Sequence, residues 1–166
     1  MPIDFFQDKC KTTSERKSFG LRDDSSPGTR PAYIDETELE KWIGVVKNPK
    51  AIVVDFFAVD NCVTVTKPDG RRDSTCDGIL RYEKKLIFVE LKERDGGKWL
   101  KKGREQITNT ILRFKREDDI ARFDHVEAYV CNSLRPQANT GQAVSIQKFR
   151  DDTGYLLYPK REITVE

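Results

Sequence analysis

The chain has 166 residues, which suits one domain with a sizeable core, and its nine Phe, five Tyr and two Trp within a 37% hydrophobic fraction are enough to fold. Thirty Lys and Arg against 28 Asp and Glu leave a formal charge of +2, so there is no global basic signature of nucleic-acid binding and any basic surface must be local. No run approaches membrane-spanning length, and the N-terminus lacks the basic start and apolar core of a secretory signal. Cys10, Cys62, Cys76 and Cys131 are widely spaced, with no C-x-x-C and no histidine pair, which argues against zinc and predicts free thiols in a reducing cytoplasm.

Residues 7–33 are polar and broken by Gly20, Pro27, Gly28 and Pro31, the pattern of an extended arm that wraps the domain or reaches substrate. A helix is predicted from Asp35: Asp35 and Glu38 form an N-cap and N3 pair, Ile34 and Leu39 a staple. Leu39, Trp42, Ile43 and Val46 then make a helical stripe ending near Asn48-Pro49. Residues 51–57 and 62–66 are rich in Val, Ile and Phe and read as strands. Between the second of these and Asp77, residues 67–73 form a Pro-Asp-Gly turn carrying Lys67, Arg71 and Arg72. Those cations either meet phosphates or only keep the loop solvated.

A tight turn at Glu83-Lys84 pairs the segment after Asp77 with residues 85–92, an apolar run of the kind covered on both faces. After a polar turn at 93–97, a helix is predicted over about 98–115, with Trp99, Gly103, Ile107, Thr110, Ile111 and Phe114 inward and Gln106 beside them. His125 links it to a strand at 126–131, and a strand-helix-strand crossover of this length favours parallel pairing. The tail from Leu134 is loop-rich, with weak strand signals at 143–146 and 155–158. The order divides the chain into an arm at 1–33 and a single domain at 34–166 whose core spans about 35–132.

The charges that matter sit on the hairpin. In Phe88-Val89-Glu90-Leu91-Lys92, Glu90 and Lys92 share one face of a strand while Val89 and Leu91 take the other. The turn at Glu83-Lys84 sets a register that places Asp77 opposite Glu90, with Cβ atoms about 5 Å apart. Two carboxylates at that distance repel unless a cation lies between them, and a divalent ion with oxygen ligands at about 2.1 Å fits. The plainer alternative is a structural ion pair of Lys92 with Glu90 or Asp77 at a sheet end.

Asp77-Gly78 and Glu90-Leu91-Lys92 resemble the two half-motifs of the PD-(D/E)xK nuclease superfamily, with Cys76 where the usual proline stands. The resemblance implies an α/β fold with a restriction-endonuclease-like αβββαβ core, a mixed central sheet flanked by helices. It implies a metal-dependent nuclease that hydrolyses phosphodiester bonds, DNA favoured over RNA, leaving 5′-phosphate and 3′-hydroxyl ends. Asp77, Glu90 and the Leu91 carbonyl would hold Mg²⁺, with Mn²⁺ as substitute, while Lys92 acts on the water or the developing charge. Gln106 either supports that site or makes a structural hydrogen bond, and Glu36 or Glu40 is either the acid the superfamily places on its first helix or a solvated helix-face charge. A homodimer would serve two-strand cleavage. A catalytically silent member, binding nucleic acid or a protein partner, is the competing reading.

Overall fold

Strands begin inside the segment expected to be an arm. The computed structural model describes residues 3–24, 28–93, 96–134 and 142–166, so the middle of the 93–97 turn and the start of the tail lie outside the described residues. After a 3-10 turn at Asp8–Cys10 come β1 (Lys11–Ser14) and β2 (Ser18–Arg22), followed by β3 (Tyr33–Asp35), β4 (Gly44–Lys47) and β5 (Val54–Ala58). The hairpin strands are β6 (Gly78–Tyr82) and β7 (Lys85–Lys92). The chain continues through α1 (Trp99–Glu117), β8 (His125–Asn132), α2 (Gln142–Thr153), β9 (Leu156–Tyr158) and β10 (Glu162–Thr164).

These elements form a mixed α/β fold with two sheets. One has six strands in the order β1-β5-β6-β7-β8-β9, antiparallel as far as β7 and parallel from β7 to β9. The other has four strands in the order β10-β4-β2-β3, with only β10 and β4 parallel. One cluster of buried side chains runs through both, from Phe19 and Val46 in the smaller sheet to Phe56, Phe88 and Phe114. No helix among the described residues is long and apolar enough to cross a membrane.

The succession β5, β6, β7, α1, β8 gives the predicted order of three strands, helix and strand, with β8 parallel to β7 as the crossover required. The helix predicted ahead of it is absent. Asp35 does accept the Glu38 N–H at 2.9 Å, but it also accepts the Trp42 indole N–H at 2.8 Å, and the turn stops after a 3-10 stretch at Leu39–Lys41. Leu39, read as part of a buried stripe, is 62% exposed. Gly44 and the β-branched pair Val45-Val46 weaken a helix and favour extended chain, and β4 gains partners on both sides, β2 and β10. Trp42 is buried because its ring fills the space over Gly20, where a Cβ would stand 1.9 Å from Trp42 Cγ.

Three further expectations change. Residues 62–65 form a turn and bend rather than a strand, and pairing there is a single bridge, Thr66 with Arg72, although Val63 and Val65 are buried as their apolarity demands. The tail segment 143–146 lies in α2, whereas the strand signal at 155–158 is realised as β9. Cys10 and Cys62 are joined in a disulfide, because β1 pairs with β5 and so carries Cys10 to the loop that follows β5. Only Cys76 and Cys131 are free thiols, both buried. Disulfides persist where the surroundings oxidise, so a cytoplasmic home loses the footing that four free thiols gave it.

Candidate functional site

The hairpin takes the register that the turn dictates, with Tyr82 opposite Lys85 and Gly78 opposite Val89, and Glu83 at the tip with φ of 52°. One step beyond Gly78, Asp77 meets Glu90. The Asp77 N–H donates to Glu90 Oε1 at 3.1 Å, and Asp77 Oδ2 accepts the Leu91 N–H at 2.7 Å. Asp77 is 7% exposed and Glu90 3%. Burial holds Asp77 well above the usual carboxylate range, reinforced by the charges of Glu90 and Asp23 and opposed by the Leu91 N–H. Burial also raises Glu90, but Lys92 works against it. The two acids act on each other, with burial and the Glu90 charge favouring the neutral form of Asp77.

Lys92 Nζ lies 3.0 Å from Glu90 Oε2 and donates to Gln106 Oε1 at 2.8 Å. Gln106 in turn donates from Nε2 to the Thr75 carbonyl at 3.3 Å. One turn along α1, the Thr110 hydroxyl donates to the Gln106 carbonyl and accepts the Cys76 N–H, both at 2.8 Å. α1 therefore grips the peptide leading into Asp77. It comes this close because it presents Gly103, where a Cβ would stand 2.8 Å from Val130 Cγ1 and 3.4 Å from Glu90 Cγ. The neighbouring Cys76 thiol is pushed up by burial and by the Glu90 charge, which makes it an inert packing group.

Asp77, Glu90, Lys92 and Gln106 are thus one connected cluster. The Lys92 carbonyl accepts the Ser133 N–H next to β8, and successive strand residues turn their polar groups to opposite edges. The Leu91 carbonyl consequently faces the β6 edge of β7, the edge from which Asp77 approaches. Among the described residues no group of three or more His, Cys, Asp and Glu side chains is placed to hold a metal ion. A pair of buried carboxyls with an adjacent carbonyl fits a hard cation that keeps several waters and takes one or two carboxylates.

Glu36 and Glu40 are not brought to this cluster by any described contact. Glu36 accepts from Ser14 Oγ at 2.6 Å and pairs with Arg16 at 3.3 Å, while Glu40 is exposed on the 3-10 turn. A further acid whose charge reaches the cluster is Asp23, which follows β2 and raises both Asp77 and Asp60. Its approach depends on a pairing across the smaller sheet that carries no local signal. Buried Arg22 beside it is held by Asp24 at 2.7 Å and Glu38 at 3.2 Å.

Several cations of the 67–73 loop and of α1 are engaged within the protein. Arg71 is paired with Asp69 at 2.7 Å and Arg72 with Asp60 at 3.0 Å, so of the loop cations Lys67 has no described ion pair. On α1, Arg104 is buried against Ser145 and Arg113 is tied to Glu117 and the Thr66 carbonyl, while Lys101, Lys102 and Arg116 are exposed. His125 opens β8 and lies 3.0 Å from Glu127, with no described link to the cluster. The chain matches no family model, no curated protein and no solved structure.

Proposed function

We propose that the protein is a metal-dependent nuclease of the PD-(D/E)xK type, with a restriction-endonuclease-like core built on β5 to β8 and α1, acting on DNA in preference to RNA. The observation that carries the reading is the burial of two acids, Asp77 and Glu90, linked through the Asp77 N–H, with Lys92 paired to Glu90 at the end of a central strand. Such an arrangement costs stability that an apolar trio would not, and charge placed at that cost marks functional sites more often than structural ones.

Asp77, Glu90 and the Leu91 carbonyl would hold Mg²⁺, or Mn²⁺ in its place. Once bound, the ion would lower the pKa of a coordinated water and offset charge building on the phosphate. Because burial and the Glu90 charge raise the Asp77 pKa, protonation there would compete with metal binding. Lys92, freed from part of its pairing with Glu90 and steered by Gln106, directs an N–H at the attacking water or the phosphoryl oxygen. The water oxygen bonds to phosphorus as the bond to the 3′ oxygen breaks. The attacking water loses a proton to solvent and the leaving 3′ oxygen takes one from solvent, giving 3′-hydroxyl and 5′-phosphate ends. Two copies of the chain would be needed to cut both strands at one place.

Neutralised loop cations and a lysine already engaged by Glu90 and Gln106 favour a second reading, a catalytically silent member that binds nucleic acid or a partner protein. Replacing Lys92 with Ala separates the two. A nuclease loses turnover while keeping most of its Mg²⁺ affinity by calorimetry; a silent module shows neither turnover nor metal binding in either form.

A further inference from the structure

A cavity of about 820 Å³ opens at the seam between the two sheets and shares no lining residue with the carboxylate cluster. That size lies within the range of small-molecule sites. Val45 of β4, Ile146 of α2, and Leu157 and Tyr158 of β9 give it apolar walls. Its polar lining is uneven: Lys160 and Arg161 are cations, Glu162 an acid, and Gln142 an amide. Arg161 already secures the wall by donating to the Ile43 and Trp42 carbonyls at 3.1 and 2.6 Å. Lys160 is exposed, 5.7 Å from the centre of the Tyr158 ring.

Gln142 is the telling residue. It is 6% exposed, and its Nε2 is the only buried side-chain polar atom among the described residues that finds no hydrogen-bond partner. A buried donor left unsatisfied is costly, and native structures rarely keep one without a use. Gln142 also lines the cavity, and a ligand could engage this donor after a turn of its terminal torsion.

We propose that this cavity binds a small amphipathic carboxylic acid. Its apolar body lies against Ile146, Leu157 and Tyr158, and its carboxylate accepts a hydrogen bond from the Gln142 amide in the field of Lys160 and Arg161. The inference stands apart from the nuclease reading, since neither needs the other.

The test uses the intact chain, with decanoate and decanol as probes, followed by calorimetry and by displacement of 1-anilinonaphthalene-8-sulfonate fluorescence. Decanoate should bind saturably with one-to-one stoichiometry and about tenfold more tightly than decanol. Gln142→Met, which keeps the bulk and removes the donor, should weaken decanoate by about fivefold or more. Lys160→Glu, on an exposed residue that folding does not need, should weaken it as well, and Ile146→Trp should fill the cavity and abolish binding. Absence of saturable binding overturns the proposal. So does equal affinity for decanoate and decanol, or decanoate affinity that neither Gln142→Met nor Lys160→Glu changes in protein with native urea melting.

Discussion

Replacing Lys92 with Met removes a buried cation while keeping most of its bulk, and the cost should depend on pH. Lys92 Nζ is 3.0 Å from Glu90 Oε2 and 2.8 Å from Gln106 Oε1, with 11% of its side chain exposed. Breaking a buried ion pair by deleting one partner costs about 3–5 kcal/mol, because the other charge is left uncompensated. Glu90 has an escape, since burial already raises its pKa and Lys92 is the main influence lowering it. Without Lys92 the folded carboxyl takes up a proton more readily than the unfolded one. A carboxyl whose folded pKa is raised contributes most below its unfolded pKa, and that contribution is lost as pH rises through the folded value. At pH 5 Glu90 protonates and only the hydrogen bonds are lost, at about 1 kcal/mol. At pH 8 the penalty should reach about 3 kcal/mol. With a urea m-value of about 2 kcal/mol/M, the midpoint should fall by about 0.5 M at pH 5 and 1.5 M at pH 8. Glu90→Gln in the Lys92→Met background should recover most of the loss at pH 8. Equal losses at both pH values, or no recovery in the double variant, would refute this account of the cluster.

Three other outcomes follow from the same geometry. Because burial and the Glu90 charge raise the Asp77 pKa, so that protonation competes with a bound cation, Mg²⁺ should bind more tightly as pH rises above the ordinary carboxylate range. Calorimetry in two buffers of different ionisation enthalpy should register proton release on binding. Thr110→Val removes the acceptor of the buried Cys76 N–H and should cost about 1–3 kcal/mol in chemical melts, whereas Thr110→Ser keeps the oxygen and should lose less. Opening the Cys10–Cys62 disulfide, which spans 52 residues, should lower stability by up to about 4 kcal/mol on chain entropy alone, measured as the shift in urea midpoint with and without reductant.

The hairpin was legible because its register is fixed locally. The turn at Glu83-Lys84 and an apolar run of fixed phase leave one alignment, and that alignment brings Asp77 to Glu90 and Glu90 to the side of Lys92. Gln106 was legible by its place one step off the stripe of a long amphipathic helix. The segment 35–48 misled because Leu39, Trp42, Ile43 and Val46 match a helical period by coincidence, while β4 owes its conformation to distant strands. α2 was hidden for the opposite reason. Its buried face is Gln142, Ser145, Phe149 and Thr153, a helical spacing with a single large apolar residue, while Val144 points outward at 72% exposure. Asp23 and the disulfide both depend on contacts between segments far apart in the chain, which no local pattern encodes.

The central claim is tested most directly by incubating labelled single- and double-stranded DNA and RNA with the protein in Mg²⁺, Mn²⁺ or EDTA, beside Asp77→Ala protein from the same preparation. The account predicts cutting of DNA that requires the metal, stops in EDTA, disappears in the variant and leaves 5′-phosphate ends. Cutting that survives in Asp77→Ala, or no cutting of any substrate by folded protein that also fails to bind Mg²⁺, would contradict it.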